Sequence, residues 1–271
     1  MTPLRLNDGN RMARLGLGLW QVPKDTTAAC VTSAIARGYR LFDGAAIYGN
    51  EEGLGEGIRA AEVTRDRLFV TTKIWNDAQG FDATLRAFEA SLARLGICPD
   101  LVLIHWPCPA RGLYLESWRA LVRLRDEGRL RSIGVSNFLP DHLERIIGET
   151  GVTPVVNQIE LHPQLQQAEL RALHDRLGIV TQSWTPLGGG RCFDAPPVQA
   201  IAARTGKSPA QVILRWHLHL GCSAIPRSVR PEGQSENLDL ADFALTEEEM
   251  AAMATLESGG RIGPDPARFA L

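Results

Sequence analysis

The sequence predicts an α/β fold, and within that class a (β/α)8 TIM barrel. Two observations carry the prediction. Eight short apolar or β-branched runs alternate with longer segments of helical period, the pattern of repeated βα units over a parallel sheet. The 271 residues also suit a barrel of this kind, which folds about 250 residues around one core. No low-complexity linker, charge block or repeat beyond the βα alternation interrupts the chain, so one domain over residues 1–271 is expected. Alternation alone does not separate a closed barrel from an open, doubly wound sheet.

The strands are expected at Leu15 to Leu19, Arg40 to Asp43, Leu68 to Ile74, Leu101 to Trp106, Ile133 to Val135, Val155 to Ile159, Ile179 to Trp184 and Ala224 to Pro226. Ahead of them, Asn7-Asp8-Gly9 in an alternating stretch predicts an N-terminal β-hairpin, placed to cover the lower end of the barrel. Helix signals fill the intervals. Asp82 is expected to N-cap a helix with Leu85, Phe88, Leu92 and Leu95 on one face, stopped by Gly96. Leu115, Trp118, Leu121 and Val122 mark a second apolar face before Gly128, and Leu170, Leu173 and Leu177 a third before Gly178. Ser208-Pro209 opens another helix ending at Gly221, and Thr246 with Glu249 reads as the capping box of an extra C-terminal helix. Ser258 to Pro266, rich in Gly and Pro, reads as a loop-like tail.

A formal net charge of -2 gives no basic footprint for nucleic acid. No stretch approaches the roughly 20 apolar residues of a membrane span, and the first 19 residues lack the features of a signal peptide. Five widely spaced cysteines, without a C-x-x-C pair or metal-ligand spacing to the six histidines, read as reduced thiols. A cytoplasmic monomer is therefore expected, with no nucleic acid, membrane or metal partner.

In a parallel barrel the active site forms at the C-terminal rim, so polar residues that end strands are examined first. Asp43 ends the second strand, Tyr48 follows in its loop, Lys73 lies near the end of the third and His105 near the end of the fourth. Together they suit carbonyl reduction, because hydride addition leaves an alkoxide that needs a proton. Tyr48 is the proton donor, and a neighbouring Lys73 ammonium is expected to lower its pKa from about 10. Asp43 keeps Lys73 charged, while His105 either orients the substrate oxygen or shares in proton transfer. Taken singly, each residue has a plain structural explanation: scaffold ion pair, packing tyrosine, core histidine. Their meeting at three consecutive strand ends favours chemistry. Two rivals remain, a Schiff-base lyase using Lys73 as an amine nucleophile and a catalytically weak sensor that binds the hydride-donating cofactor. Trp20, Trp75 and Trp106, at or beyond strand ends, would line the mouth as substrate-binding residues for an apolar carbonyl compound.

Gly38-Tyr39-Arg40-Leu41-Phe42-Asp43-Gly44-Ala45, followed after five residues by Glu51, Leu54 and Gly55, resembles the first signature of the aldo-keto reductases. Ile133 to Phe138 resembles the second, and Ile225-Pro226-Arg227-Ser228 with Glu236-Asn237 the third. The likeness runs from about Leu15 to the Gly263 to Pro266 tail. It implies the barrel, the same four catalytic residues, and NADPH held extended without a Rossmann domain. The absence of a G-x-G-x-x-G between strand and helix agrees; Gly53, Gly55 and Gly57 read as helix-associated. The resemblance further implies that Ser136, Asn137 and Gln158 hold the nicotinamide carboxamide and that Trp184, where the family usually has tyrosine, stacks on the ring. Thr185, Leu187 and Gly188 would cover the cofactor, and Arg227, Ser228, Val229, Arg230, Glu236 and Asn237 would receive its adenosine end. One position departs from the pattern. The family usually carries an arginine six residues after the basic residue of the third signature, but Gly233 stands there, which predicts a narrower preference for NADPH over NADH.

Overall fold

In the computed structural model, which describes residues 1–270, a short antiparallel hairpin of β1 (Leu4–Arg5) and β2 (Arg11–Met12) precedes eight parallel strands. Leu271, the last residue of the expected domain, lies outside the described residues. The parallel strands are β3 (Leu17–Gly18), β4 (Leu41–Asp43), β5 (Phe69–Ile74), β6 (Leu101–Ile104), β7 (Ser132–Ser136), β8 (Val156–Glu160), β9 (Val180–Trp184) and β10 (Ser223–Ala224), each paired with its neighbour in chain order. Closure decides between barrel and open sheet. Leu15 bridges Ala224 in parallel, the Gly16 N–H donates to Ala224 O at 2.9 Å, and the Gly18 N–H donates to Pro226 O at 3.1 Å, so the first strand meets the last. A Cβ on Gly18 would come within 2.7 Å of Ile225 O, so the seam needs glycine there.

Among the described residues, ten α-helices surround the barrel: α1 (Thr27–Ala36), α2 (Glu51–Arg59), α3 (Phe81–Leu95), α4 (Tyr114–Asp126), α5 (Pro140–Thr150), α6 (Ala168–Leu177), α7 (Pro196–Thr205), α8 (Pro209–His219), α9 (Pro231–Leu238) and α10 (Glu247–Ala254). Ser208 and Thr246 cap α8 and α10 with the reciprocal bonds of a capping box. Asp82 does not cap α3. The helix begins two residues earlier, at Phe81 with Gly80 at the N-cap, and Asp82 lies in the first turn, where its charge still complements the helix dipole. Gly96 closes α3 in the left-handed conformation as expected.

Strand periodicity sorts the core into layers. Leu41, Leu101, Leu103, Val156 and Ile225 form one buried cluster with Leu6 and Met12 of the hairpin. The hairpin is anchored at the N-terminal ends of the strands by Asn7 to Pro154 O and by Asp8 and Asn10 to Ser132. Alternate residues, including Phe42, Val70, Val102 and Ile104, pack outward with the helices. Continuing the inward face by two residues reaches Asp43 after Leu41, Lys73 after Thr71, and His105 after Leu103, all at the C-terminal rim.

The glycines of α2 allow close helix contacts rather than phosphate binding. A Cβ on Gly57 would lie 2.7 Å from Val31 Cβ of α1, and one on Gly55 would lie 1.8 Å from Leu95 O of α3. Gly55→Ala is therefore expected to destabilise the fold, near the upper end of the roughly 1–3 kcal/mol typical of overpacking, despite alanine's better helix propensity. An unchanged midpoint in urea unfolding would refute this account of Gly55.

Candidate active site

Tyr48 ends a short 3₁₀ turn, Ala46–Tyr48, stopped by Gly49 in the left-handed region at φ 68°. The buried Asn50 amide fixes the return by donating to Leu19 O at 3.0 Å and Val22 O at 3.1 Å. Behind it, the buried Glu51 carboxylate accepts from Thr72 of β5 at 2.5 Å and from Arg94 of α3 at 2.6 Å, tying the tyrosine's loop to the barrel wall.

The four residues meet. Lys73, 0% exposed, donates from Nζ to Asp43 Oδ2 at 2.6 Å, to Gly44 O at 2.9 Å and to the Tyr48 hydroxyl oxygen at 3.2 Å, which occupies all three of its N–H groups. Because Tyr48 accepts from Lys73, its own O–H remains available to another acceptor. His105 lies beside the phenol with ring centroids 5.8 Å apart. Its Nδ1 is buried without a partner, leaving Nε2 as the nitrogen for an incoming group.

Burial sets the electrostatics. It pushes the Tyr48 phenol above its ordinary pKa, against the opposing Lys73 ammonium, and the Asp43 carboxylate adds to the rise. This reverses the sequence expectation of a lowered value, because the desolvation of Tyr48 outweighs the attraction of one cation. For Lys73, burial alone would favour the neutral amine, but Asp43 and Tyr48 outweigh it and raise the pKa, so the ammonium persists. Burial, reinforced by Lys73, drives His105 well below its usual range and keeps the imidazole neutral.

A second polar cluster adjoins the first. Gln158 of β8 donates from Nε2 to Asp43 Oδ1 at 2.6 Å and to Gln182 Oε1 at 2.7 Å, joining the clusters. Asn137 donates to His105 O and Ser136 Oγ, both at 3.0 Å, and accepts from the Trp184 indole N–H at 2.8 Å. Ser136, Asn137, Gln158 and Trp184 thus converge. Thr185, in the left-handed region, and Leu187 lead into the turn Gly188–Gly190, held from behind by His217 against Pro186 O at 2.9 Å.

The residues expected at the adenosine end form a separate group. Arg227 follows β10 and donates to Gln21 Oε1 at 3.0 Å; Ser228 donates to Arg230 O at 3.1 Å, and Val229 is exposed. Glu236 accepts from Ser208 at 2.5 Å, while Asn237 is buried beside the Tyr39 phenol, so both have scaffold contacts. At the mouth, Trp20 packs on Tyr48 and Trp75 on His105, each with centroids 5.0 Å apart, and Trp106 faces Trp184 at 6.3 Å.

Several contributors escaped the sequence reading. Phe269 packs on Trp106 at 4.5 Å, bringing the tail to the mouth. That tail is gripped by Glu160, fully buried, which accepts the Ile262 N–H at 2.5 Å, the Gly263 N–H at 3.0 Å and a His162 contact at 3.1 Å; these bonds hold its carboxyl below the usual range despite burial. Gln182 was also missed, although the run Thr181-Gln182-Ser183 inside a barrel strand is an unusual polar signal.

A model of the Aldo/keto reductase family matches residues 12–258. An aldo-keto reductase of Mycobacterium sp. (strain KMS) is 51% identical over 97% of this chain and 96% of its own length. Methylglyoxal reductase DkgA of Escherichia coli O157:H7 is 46% identical over 99% and 98%. Among solved structures, an NADPH complex of a Gox0644 mutant superposes with a TM-score of 0.94 at 48% identity, covering 98% of this chain and 97% of that one.

Proposed function

Since the chain belongs to the aldo/keto reductase family, we propose that it is an NADPH-dependent carbonyl reductase in which Tyr48 supplies the proton. The observation that carries this reading is the buried Asp43–Lys73 pair reaching the half-buried Tyr48 hydroxyl, with the Tyr48 O–H unengaged and a neutral His105 beside it. When bound, NADPH would supply the hydride. The protein's donor set fits such a cofactor: two side-chain amides and a hydroxyl, at Asn137, Gln158 and Ser136, match a carboxamide that both donates and accepts, and they adjoin the tetrad through Asp43. Trp184 supplies an aromatic face, and the turn that follows it exposes backbone at Gly189, with Gly188 buried beneath.

Tyr48 gives its proton to the substrate oxygen while Lys73, already donating to the phenolic oxygen, stabilises the phenolate that remains. A raised phenol pKa does not prevent this, because an alkoxide is a much stronger base than a phenolate. As a neutral group, His105 donates a hydrogen bond from Nε2 to the same oxygen, a reading that favours orientation over proton transfer. Lys73 is an unsuitable Schiff-base nucleophile, because its ammonium is held charged with every N–H engaged.

The aromatic mouth of Trp20, Trp75 and Trp106 suits a small carbonyl compound, and the name of the DkgA relatives makes methylglyoxal the first α-dicarbonyl to test. NADPH consumption should be followed with α-dicarbonyls, aldehydes, keto-sugars and aromatic ketones; oxidation with none of them would sink the proposal. The pH profile follows from the shifts. Reduction needs Tyr48 protonated, so kcat/KM should stay level through the ordinary histidine range near 6.5 and fall only above the ordinary phenol range near 10, whereas alcohol oxidation should rise with pH. A limb near 6.5 that disappears in His105→Gln would refute a neutral His105.

For coenzyme choice, Arg227 is exposed and placed to meet a phosphate, while Gly233 leaves no second guanidinium. A Cβ at 233 would lie 2.6 Å from Ser228 Oγ, the end of a short side chain on an exposed turn that can rotate away. We expect Gly233→Arg to widen the NADPH-over-NADH affinity ratio about tenfold, the scale of one charge-assisted hydrogen bond. Titration of both coenzymes checks this, and an unchanged ratio would remove position 233 from the phosphate site.

A further inference from the structure

At the opposite end of the barrel from the tetrad lies a cleft of about 530 Å³, within the size range of small-molecule sites. Its walls are the residues that enter the strands: Leu15, Arg40, Phe69 and Ser132 all sit at N-terminal strand ends. The chain as a whole has slightly more carboxylates than cations, yet five arginines line this cleft: Arg11, Arg14, Arg40, Arg67 and Arg131. Only two carboxylates oppose them. Asp100 is buried and already satisfied by Arg65 at 2.7 Å, the Val70 N–H at 2.8 Å and Arg131 at 3.2 Å. Asp66 is exposed at the rim.

The cations are largely unspent. Arg14 donates to Thr2 O, and Arg40 to Ile35 O and Tyr39 O, contacts that leave their charge without a counterion. Among the described residues, Arg11 and Arg67 form no ion pair and both are exposed, Arg67 sharing with Arg131 only the field of the solvent-exposed Asp66 carboxylate. Between the arginines, Leu68, Phe69 and Leu238 give the cleft an apolar floor. Clustered guanidinium groups match phosphate oxygens in pairs, and an apolar floor suits a planar or aliphatic body. We propose that this cleft binds a small phosphorylated metabolite carrying several negative charges, of nucleoside-triphosphate size. The site is independent of the reductase reading and lies where occupancy would not compete with a carbonyl substrate.

Calorimetric titration of the full chain, preloaded with one equivalent of NADPH and kept near physiological salt, tests the proposal with ATP and with tripolyphosphate. Saturable binding is expected, tighter for ATP, and weakened about tenfold by Arg11→Ala or Arg67→Ala. Arg86→Ala, an equal charge loss on α3 outside the cleft, should change it little, and kcat for carbonyl reduction should be unchanged in all three variants. No saturable binding of either compound overturns the proposal, as does an equal loss in the Arg86 control, which would mean diffuse attraction. Tripolyphosphate binding as tightly as ATP would overturn the role given to the apolar floor.

Discussion

Tyr48→Phe is expected to leave a folded chain that binds NADPH with nearly unchanged affinity and reduces carbonyl compounds at least about 100-fold more slowly, the low end of what a positioned general acid contributes. The substitution removes one oxygen. The ring contacts survive, since Trp20 and the Lys73 ammonium, 4.9 Å from the ring centroid, pack on the carbon framework that phenylalanine keeps. Lys73 loses one acceptor but retains Asp43 and Gly44 O. Steady-state kcat, with coenzyme affinity from fluorescence titration, separates the outcomes. A kcat near wild type would remove Tyr48 from proton transfer, and a parallel loss of coenzyme affinity would mean that the phenol shapes the pocket.

That Asp43, Lys73 and His105 come together was legible in sequence because each is a charged or polar residue near the end of an otherwise largely apolar barrel strand. Tyr48 is different: it lies outside any strand, and its place in the loop after Asp43, the proton its phenol can give and the resemblance together selected it. The sign of its pKa shift was not legible. Sequence shows that a cation is near but not how much water is excluded, and here exclusion dominates. Closure of the barrel depends on the contact of Leu15 with Ala224, a pairing across most of the chain that no local period encodes. The same holds for Glu160, which looks like an ordinary strand residue until the tail at Ile262 and Gly263 returns to it. The error at Asp82 was local: an acidic residue near a helix start suits both the N-cap and the first turn, and the preceding Gly80 took the cap.

Lys73→Met should lower kcat as severely as loss of the tyrosine hydroxyl, for a different reason. It keeps the proton donor and removes the charge that stabilises the phenolate, and the phenol, already raised by burial, rises further beside Asp43. A purely structural role predicts something else, loss of stability alone, so the two must be separated. Asp43 is 2% exposed, and without Lys73 it keeps only the Gln158 N–H, so the single variant leaves an uncompensated buried carboxylate, at a cost of about 3–5 kcal/mol. Removing that charge too, in Asp43→Asn/Lys73→Met, should recover much of the unfolding free energy, since a neutral pair needs no counterion. Turnover should not recover, because the Tyr48 oxygen still lacks a cation at 3.2 Å. Urea unfolding and NADPH-dependent reduction, measured on wild type, both single variants and the double variant, complete the cycle. If the double variant regains activity along with stability, the Lys73 charge is part of the scaffold and not of the proton transfer.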